Sequence, residues 1–484
     1  MVLASSVAYA SSSSTTANLR RVTAVTLVGH GWGPGIGMGQ WGAFGYAVRY
    51  HFGYERILNR YYGTTVSASI ASTGQLSNPT VSVLIAENLD ASNNVGYDPI
   101  VTAPTALMVS SQGGLPAIPT TSTTVPATSS TTTSTVPIST TITAPPTTTV
   151  PSSTSFGVPA GMAVDLHLMA NGTWSAYESS SCSTVNTTGA PVAVGLVNPV
   201  ISPSVPTSAA VSSLMVLCRH DGVDESLRGS VEAYDREGYE RTLNLVPLES
   251  YLDGVVPSEA SASWGNDGTT VGAPQGEAWG FQALEAQAVA ARSFTMNYIE
   301  SGGWNGYASI CDTQACEVYT GANYETATTN AAVLNTTGEI RVIPTAPTMA
   351  VDTRYSASTG GFTAPSAFPA VKDLGDACVN PSNPLECNPN HLWRVTLTGA
   401  QIKKHYPAIG RLLTIHVSAR NGYGAFGGRS VKVLLHGAKS SIRVSGDAFA
   451  EAMNLKSNWF AIASLRRFGE TPTTSVTSTS TPTP

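Results

Sequence analysis

Charge is scarce in this sequence. Lys, Arg, Asp and Glu make up 12% of 484 residues, and the formal net charge is −6. With 25 basic against 31 acidic residues there is no surplus of Lys and Arg from which a phosphate-backbone binder could be built, so nucleic acid is excluded as a partner. No apolar run approaches the roughly 18 residues of a membrane span, so no transmembrane segment is expected in the chain. G-x-S-x-G, H-E-x-x-H and Walker A patterns are all missing, which removes support for serine hydrolases, zinc proteases and P-loop enzymes. What the chain has instead is glycine (45), proline (30) and visibly abundant Ser and Thr. Low charge with much Ser, Thr and Pro fits an exported protein with flexible spacers better than a compact cytosolic enzyme. The length leaves room for roughly three folded units.

The start, MVLASSVAYA followed by a serine run, places Ala8-Tyr9-Ala10 as an A-x-A-like cleavage site. It reads as the end of a signal peptide whose beginning lies upstream of Met1; the alternative is a disordered tail. Six cysteines, Cys182, Cys218, Cys311, Cys316, Cys378 and Cys387, fall into local pairs. In an exported protein they suggest disulfides, with nearest-neighbour pairing 182–218, 311–316 and 378–387 preferred among fifteen connectivities. A zinc site at Cys311 and Cys316 competes with this, but no His lies between Asp221 and Asn390 to complete it locally.

Composition divides the chain. Residues 1–20 are the partial signal peptide or disordered start, and 21–118 an N-terminal folded part. Residues 119–155 are almost wholly Thr, Ser, Pro, Val and Ile without charge, a disordered linker that cannot bury enough surface to offset the entropy of ordering. Residues 156–228 read as a β-rich extension, 229–467 as the main globular domain and 468–484 as a second disordered tail. The Ala-rich stretch Glu277–Ile299 has helical spacing through Leu284, Ala288, Ala291 and Thr295, and Asp447–Met453 is a shorter helix. Strands are expected at 22–28, 81–85, 230–235, 241–246, 393–398, 412–418, 430–436 and around 459–462. Strands on both sides of one long helix predict an α+β fold: mostly antiparallel β, one long Ala-rich helix and short helices, interrupted by the Thr/Ser/Pro insertion.

Four segments carry chemistry. In VGHGWGPGIGMGQWGA (28–43) seven glycines interleave with His30, Trp32, Gln40 and Trp41. Glycine permits close backbone approach, and flat aromatic faces with polar fingers suit sugar rings. The embedded GMGQWG lacks the βαβ setting of a dinucleotide loop, and a Gly-rich packing loop is the plain alternative. In VPLESYLDGVVPSEASASW (246–264) Glu259 sits among small and apolar residues near Trp264. Desolvation there raises a carboxyl pKa and suits a general acid; a helix N-terminal cap partner is the alternative. In ALEAQAVAARSF (283–294) Gln287 and Arg292 interrupt a close-packing helix and need partners, either a buried carboxylate or solvent. TRYSASTGGFT (353–363) places Tyr355, Ser356 and Ser358 before a Gly-Gly turn, fit for hydrogen bonding a glycan or simply a Ser/Gly loop.

Taken in order with DTQACEVYTG (312–321) and FAEAMNLKSNWFAI (449–462), these segments resemble the SpoIID/LytB family, the stage II sporulation protein D type, over about 240 residues from Gly229 to Arg467. The 28–43 block resembles a glycine-rich segment that closes the domain in sporulation members; here it comes first, which implies that residues 21–62 dock back onto the main domain. Pro34 stands where that segment has a second His, Gly39 where it has a Ser, and Ala260-Ser261 where Met-Pro usually follows the acid. Some members hold zinc through nearby His and Cys; this chain lacks the His, so no metal and no cofactor are expected. The resemblance implies a secreted, cell-wall-associated protein whose partner is the peptidoglycan glycan strand. In the enzyme reading it is a lytic transglycosylase with Glu259 as acid/base and Gln287, Arg292, Tyr355, Ser356, Ser358, His30, Trp32 and Gln40 binding substrate. Two other readings stand beside it: a non-catalytic glycan-binding enhancer of a cell-wall amidase, and a structural wall protein.

Overall fold

Alanine-dense sequence with straight-chain residues forms helix readily, and the longest helix follows that rule. In the computed structural model, which describes residues 20–90, 95–111, 115–116, 154–184, 187 and 189–470, seven helices are found: α1 (Gln40–Tyr50), α2 (Tyr54–Tyr61), α3 (Leu248–Glu259), α4 (Phe281–Glu300), α5 (Ala327–Asn335), α6 (Gly399–His405) and α7 (Gly446–Ala452). The rest is mostly antiparallel sheet. The architecture is α+β, as the pattern of elements predicts. The A-x-A site, the body of the Thr/Ser/Pro insertion and the end of the second tail lie outside the described residues.

Helix α4 starts four residues later than the alanine pattern suggests. Gly280 donates to the Asp267 carbonyl, and the Trp279 indole donates to Val271 O while its ring stacks on His51. These contacts hold residues 277–280 in a turn. The strand expectations are met within a few residues: Val22–His30, Thr80–Leu84, Ser230–Arg236, Tyr239–Pro247, Leu392–Thr398, Leu412–Arg420, Ser430–Gly437 and Phe460–Arg467. Alternating apolar residues mark them because one face of each is buried.

The chain groups into two compact units, each assembled from separate segments. One holds described residues 20–74, 259–297 and 327–470; the other holds 75–258 and 298–326. In the first unit, Val22–His30 is the central strand of a three-stranded antiparallel sheet, between Leu392–Thr398 and Phe460–Arg467. The N-terminal strand is thus paired on both edges by partners more than 360 residues away in sequence. A second three-stranded sheet, Leu412–Arg420, Ser430–Gly437 and Ser441–Ser445, adds Ile415, Val433 and Leu435 to one core with Val25, Leu27, Phe449 and Phe460. A separate core joins α1, α2 and α4 through Phe44, Ala47, Ile57, Leu58, Phe281, Leu284 and Val289, with Trp264 and Ala260. The second unit contains two seven-stranded sheets, one of which includes the hairpin of Ser230–Arg236 with Tyr239–Pro247. All three disulfides pair nearest neighbours: Cys182–Cys218, Cys311–Cys316 and Cys378–Cys387. No described helix is long and apolar enough to cross a membrane.

Candidate functional site

The glycine-rich block is a short strand running into a helix. Met38–Gly39 pairs in parallel with Tyr355–Ser356, Met38 opposite Tyr355 and Gly39 opposite Ser356. Gly37 has φ +67°, and a Cβ there would lie 1.8 Å from the Arg354 carbonyl oxygen. No side chain fits that approach, which is why glycine stands at this crossing. Upstream, Trp32 and Ser358 exchange backbone hydrogen bonds (2.9 and 3.1 Å), and Gly35 N donates to Ser356 Oγ (2.9 Å). Downstream, Trp41 N donates to Ala357 O and α1 begins. Segment 30–41 is thereby stitched along segment 355–361 of the same unit.

Gln40, the first residue of α1, is only 5% exposed, and its Nε2 donates to Glu259 Oε2 at 3.1 Å. Glu259 is half-buried and is the last residue of α3, at the helix's carboxyl end rather than its amino end. The residues around the pair are aromatic. Trp41 meets Trp264 edge-on (5.2 Å between centroids), and Phe44 stacks on Trp264 at 4.7 Å. A carboxyl, a neutral amide donor and indole faces therefore lie together, brought from positions 40, 41, 259 and 264.

A second polar assembly underlies the 355–361 loop. Asp376 is fully buried and accepts from Ser358 Oγ (2.7 Å), Thr359 N (3.0 Å) and Asn388 Nδ2 (3.0 Å), while His391 Nδ1 lies 2.9 Å from its other oxygen. Asp373, also buried, accepts from Thr359 Oγ1 (2.7 Å) and Tyr61 Oη (2.9 Å). Burial, with the charge of Asp376 beside it, pushes the Asp373 carboxyl up to about 7. His30 packs against His391, Trp459 and Phe426, with centroids 5.6, 5.0 and 5.5 Å away. Its Nδ1 is buried without a hydrogen-bond partner. Burial, then the neighbouring His391, lowers its pKa, so the neutral imidazole is favoured. Trp32 is exposed (46%), and Lys456 sits over its ring at 4.9 Å.

The two residues singled out on α4 are placed differently. Arg292 is fully buried and donates to Val333 O and Glu339 O (both 3.2 Å) and to Thr336 Oγ1. These are acceptors at and just beyond the C-terminal end of α5, where a cation is favoured by the backbone dipole. Gln287 is buried with neither amide atom hydrogen bonded. Tyr355 is partly buried, with its ring 6.4 Å from Phe294. Asp373, Asp376, Asn388 and His391 were not singled out from the sequence. The available signal was a D-x-x-D next to a closely spaced cysteine pair and an N-x-N-H run, which matches no standard spacing. Glu285, inside the Ala-rich segment, is a buried acid that burial pushes up to about 7, with Gln282 Nε2 (2.7 Å) and Asn335 Nδ2 (3.2 Å) donating to it.

The three disulfides are of the kind that form and persist in oxidising, extracytoplasmic compartments. Residues 236–342 match the family model of SpoIID, the stage II sporulation protein, so the chain carries a SpoIID domain there. That stretch includes Glu259, Gln287 and Arg292. No curated protein and no solved structure matches the chain.

Proposed function

We propose that this protein is a lytic transglycosylase of peptidoglycan glycan strands, with Glu259 as the single acid/base. The observation that carries the reading is the hydrogen bond from buried Gln40 to one oxygen of the half-buried Glu259 carboxyl, with Trp41 following Gln40 in the chain and Trp264 packed with Ala260 in the adjoining core. The glycine-rich block and the 355–361 loop, stitched together next to that carboxyl, offer a sugar chain the exposed indole of Trp32 and the partly buried Tyr355, while the buried Ser356 hydroxyl is engaged by Gly35 N and Ile36 O and holds the two segments together. Ser358 is committed to Asp376, so it fixes the loop rather than the sugar.

The chemistry balances with one carboxyl. Protonated Glu259 gives its proton to the oxygen of the MurNAc–GlcNAc bond as the C1–O bond breaks, and the bond's electron pair leaves on the GlcNAc oxygen. Positive charge builds at C1. The Glu259 carboxylate then takes the proton of the same MurNAc's C6 hydroxyl, and that oxygen closes on C1. A 1,6-anhydro end forms, the acid is regenerated and no water is consumed. A hydrolase needs a second carboxylate to act as nucleophile or to activate water; here the internal hydroxyl takes that place. Gln40 orients the carboxyl by donating to one of its oxygens.

The test is digestion of purified glycan strands stripped of stem peptides, with product masses read by mass spectrometry. Wild type is expected to give pairs of products whose masses sum to that of the substrate, each pair with one anhydro end. Full release of anhydro products by Glu259→Gln would overturn the reading. Glycan binding and amidase stimulation that survive in Glu259→Gln, with no cleavage by wild type, would establish the enhancer instead.

A further inference from the structure

A second cluster lies in the other unit and takes no part in the proposed reaction. Asp165 and His167 are two residues apart on the strand Ala163–Leu168, so both side chains leave the same face. The neighbouring strand Ile100–Thr102 pairs antiparallel with it, Ile100 opposite Asp165. Continuing that register, and with Leu166 N donating to Pro99 O, Asp98 comes opposite His167. His167 Nδ1 lies 3.1 and 3.0 Å from the two Asp98 oxygens. Glu240 arrives from the other sheet of the unit, on the strand Tyr239–Pro247. It is held there by Leu168 N, which donates to its Oε1 (3.2 Å), and by Gly96, whose missing side chain lets the chain pass over the Glu240 carbonyl. One donor atom each from Asp98, His167 and Glu240 lies within 4.8 Å of the other two.

The Asp98 and Glu240 carboxyls hydrogen bond each other, so an ion held between them would displace the proton they share, and nothing in the proposed chemistry calls for the grouping. Asp165 makes the case independently of the other three. It is 1% exposed, its Oδ1 has no hydrogen-bond partner, and the charges acting on it are those of Asp98 and His167. A buried carboxylate oxygen without a hydrogen-bond partner is costly, and a bound cation would offset that cost. The cluster is open to solvent, the His167 and Asp98 side chains being 42% and 24% exposed, and Asp98 alone of the four lines a cavity of about 780 Å³.

We propose that Asp98, His167 and Glu240 bind one divalent transition-metal ion of the zinc or manganese type, with Asp165 as the buried carboxylate that completes the charge and orients the ligands. An imidazole among oxygen donors selects such an ion over Ca²⁺ and Mg²⁺, which take oxygen ligands. The ion ties strands of the two seven-stranded sheets together.

The experiment uses the untagged full chain stripped with chelator, then equilibrium dialysis against Zn²⁺, Mn²⁺, Ca²⁺ and Mg²⁺ separately, with metal analysis and thermal melts. One equivalent of Zn²⁺ or Mn²⁺ is expected, with a rise in Tm that His167→Ala and Glu240→Gln abolish. Asp165→Asn is expected to weaken binding about 10–100-fold, the range for groups behind metal ligands. Glu240→Gln keeps the side chain's volume, and its metal-free melt reports whether the variant folds. Should a variant fail to fold, Mn²⁺-induced broadening of the His167 ring resonances in wild type reads the same ligand without substitution. Less than stoichiometric uptake of all four ions, binding of Ca²⁺ or Mg²⁺ alone, or wild-type affinity in His167→Ala overturns the proposal.

Discussion

The bond between Gln40 and Glu259 allows a quantitative test of the proposed chemistry. Removing Glu259 by the isosteric Glu259→Gln deletes the proton donor and acceptor. General acid–base catalysis contributes about 10²- to 10⁴-fold, so turnover on denuded glycan should fall by at least that range. Gln40→Ala leaves the acid in place and removes its donor. The bond is 3.1 Å long and Gln40 is buried, so water does not readily replace the amide. A hydrogen bond to a group that carries charge is worth about 1.5–3 kcal/mol, which at about 1.4 kcal/mol per decade corresponds to roughly 10- to 150-fold in rate. Gln40 acts only through the carboxyl it orients, so the double variant should be no slower than Glu259→Gln alone. The assay is initial-rate release of anhydro-ended products, with thermal melts confirming that all three variants fold. Additive losses in the double variant would refute the idea that Gln40 works through Glu259. An unaltered rate in Glu259→Gln would refute the acid/base assignment itself.

The other predictions concern the scaffold. Asp373 is raised from 3.8 to about 7 by burial, so the folded state holds its proton where the unfolded chain has lost it. Its contribution to stability is therefore full below about pH 4 and lost as pH rises through about 7. The Tm of Asp373→Asn relative to wild type should become more favourable across that interval, and a pH-independent difference would contradict the assignment. Glu285, raised by burial from 4.5 to about 7, predicts the same sign for Glu285→Gln. Arg228 and Glu325 form a buried two-point ion pair with both contacts at 2.6 Å, so Glu325→Ala should cost about 3–5 kcal/mol by denaturant unfolding because it strands the guanidinium. Gly42→Ala would set a Cβ 2.1 Å from the Tyr61 hydroxyl and 2.4 Å from an Asp373 oxygen, an overpacking expected to cost about 1–3 kcal/mol in the same measurement.

Much of the architecture was legible in residue order because it depends on local periodicity. The alternation in 230–246 and 412–436 specified strands with one buried face, and alanine density specified α4. The glycine-rich block was harder to read. Its glycines suggested a loop, yet Gly42 lies inside α1, as does Gly45 just beyond the block. Helix propensity is outweighed there by the need for close approach: a Cβ on Gly45 would come within 2.0 Å of the Gly375 carbonyl. The end of α4 was readable from Ser301-Gly302-Gly303, whereas its start depended on where Trp279 found its partner.

Sequence by itself determined the α+β class, a preference for local cysteine pairs, the SpoIID-like order of segments and Glu259 as the acid to examine, because these rest on composition, short spacing and motif order. Only tertiary structure decided that Gln40 meets Glu259 across 219 positions, that Arg292 turns to the end of α5, and that Asp376 and His391 support the 355–361 loop. It also decided that Asp98, Asp165, His167 and Glu240 converge. Such meetings follow from strand register and from which backbones can approach one another. A linear pattern does not encode them, because partners far apart in the chain are chosen by the packing of everything between them.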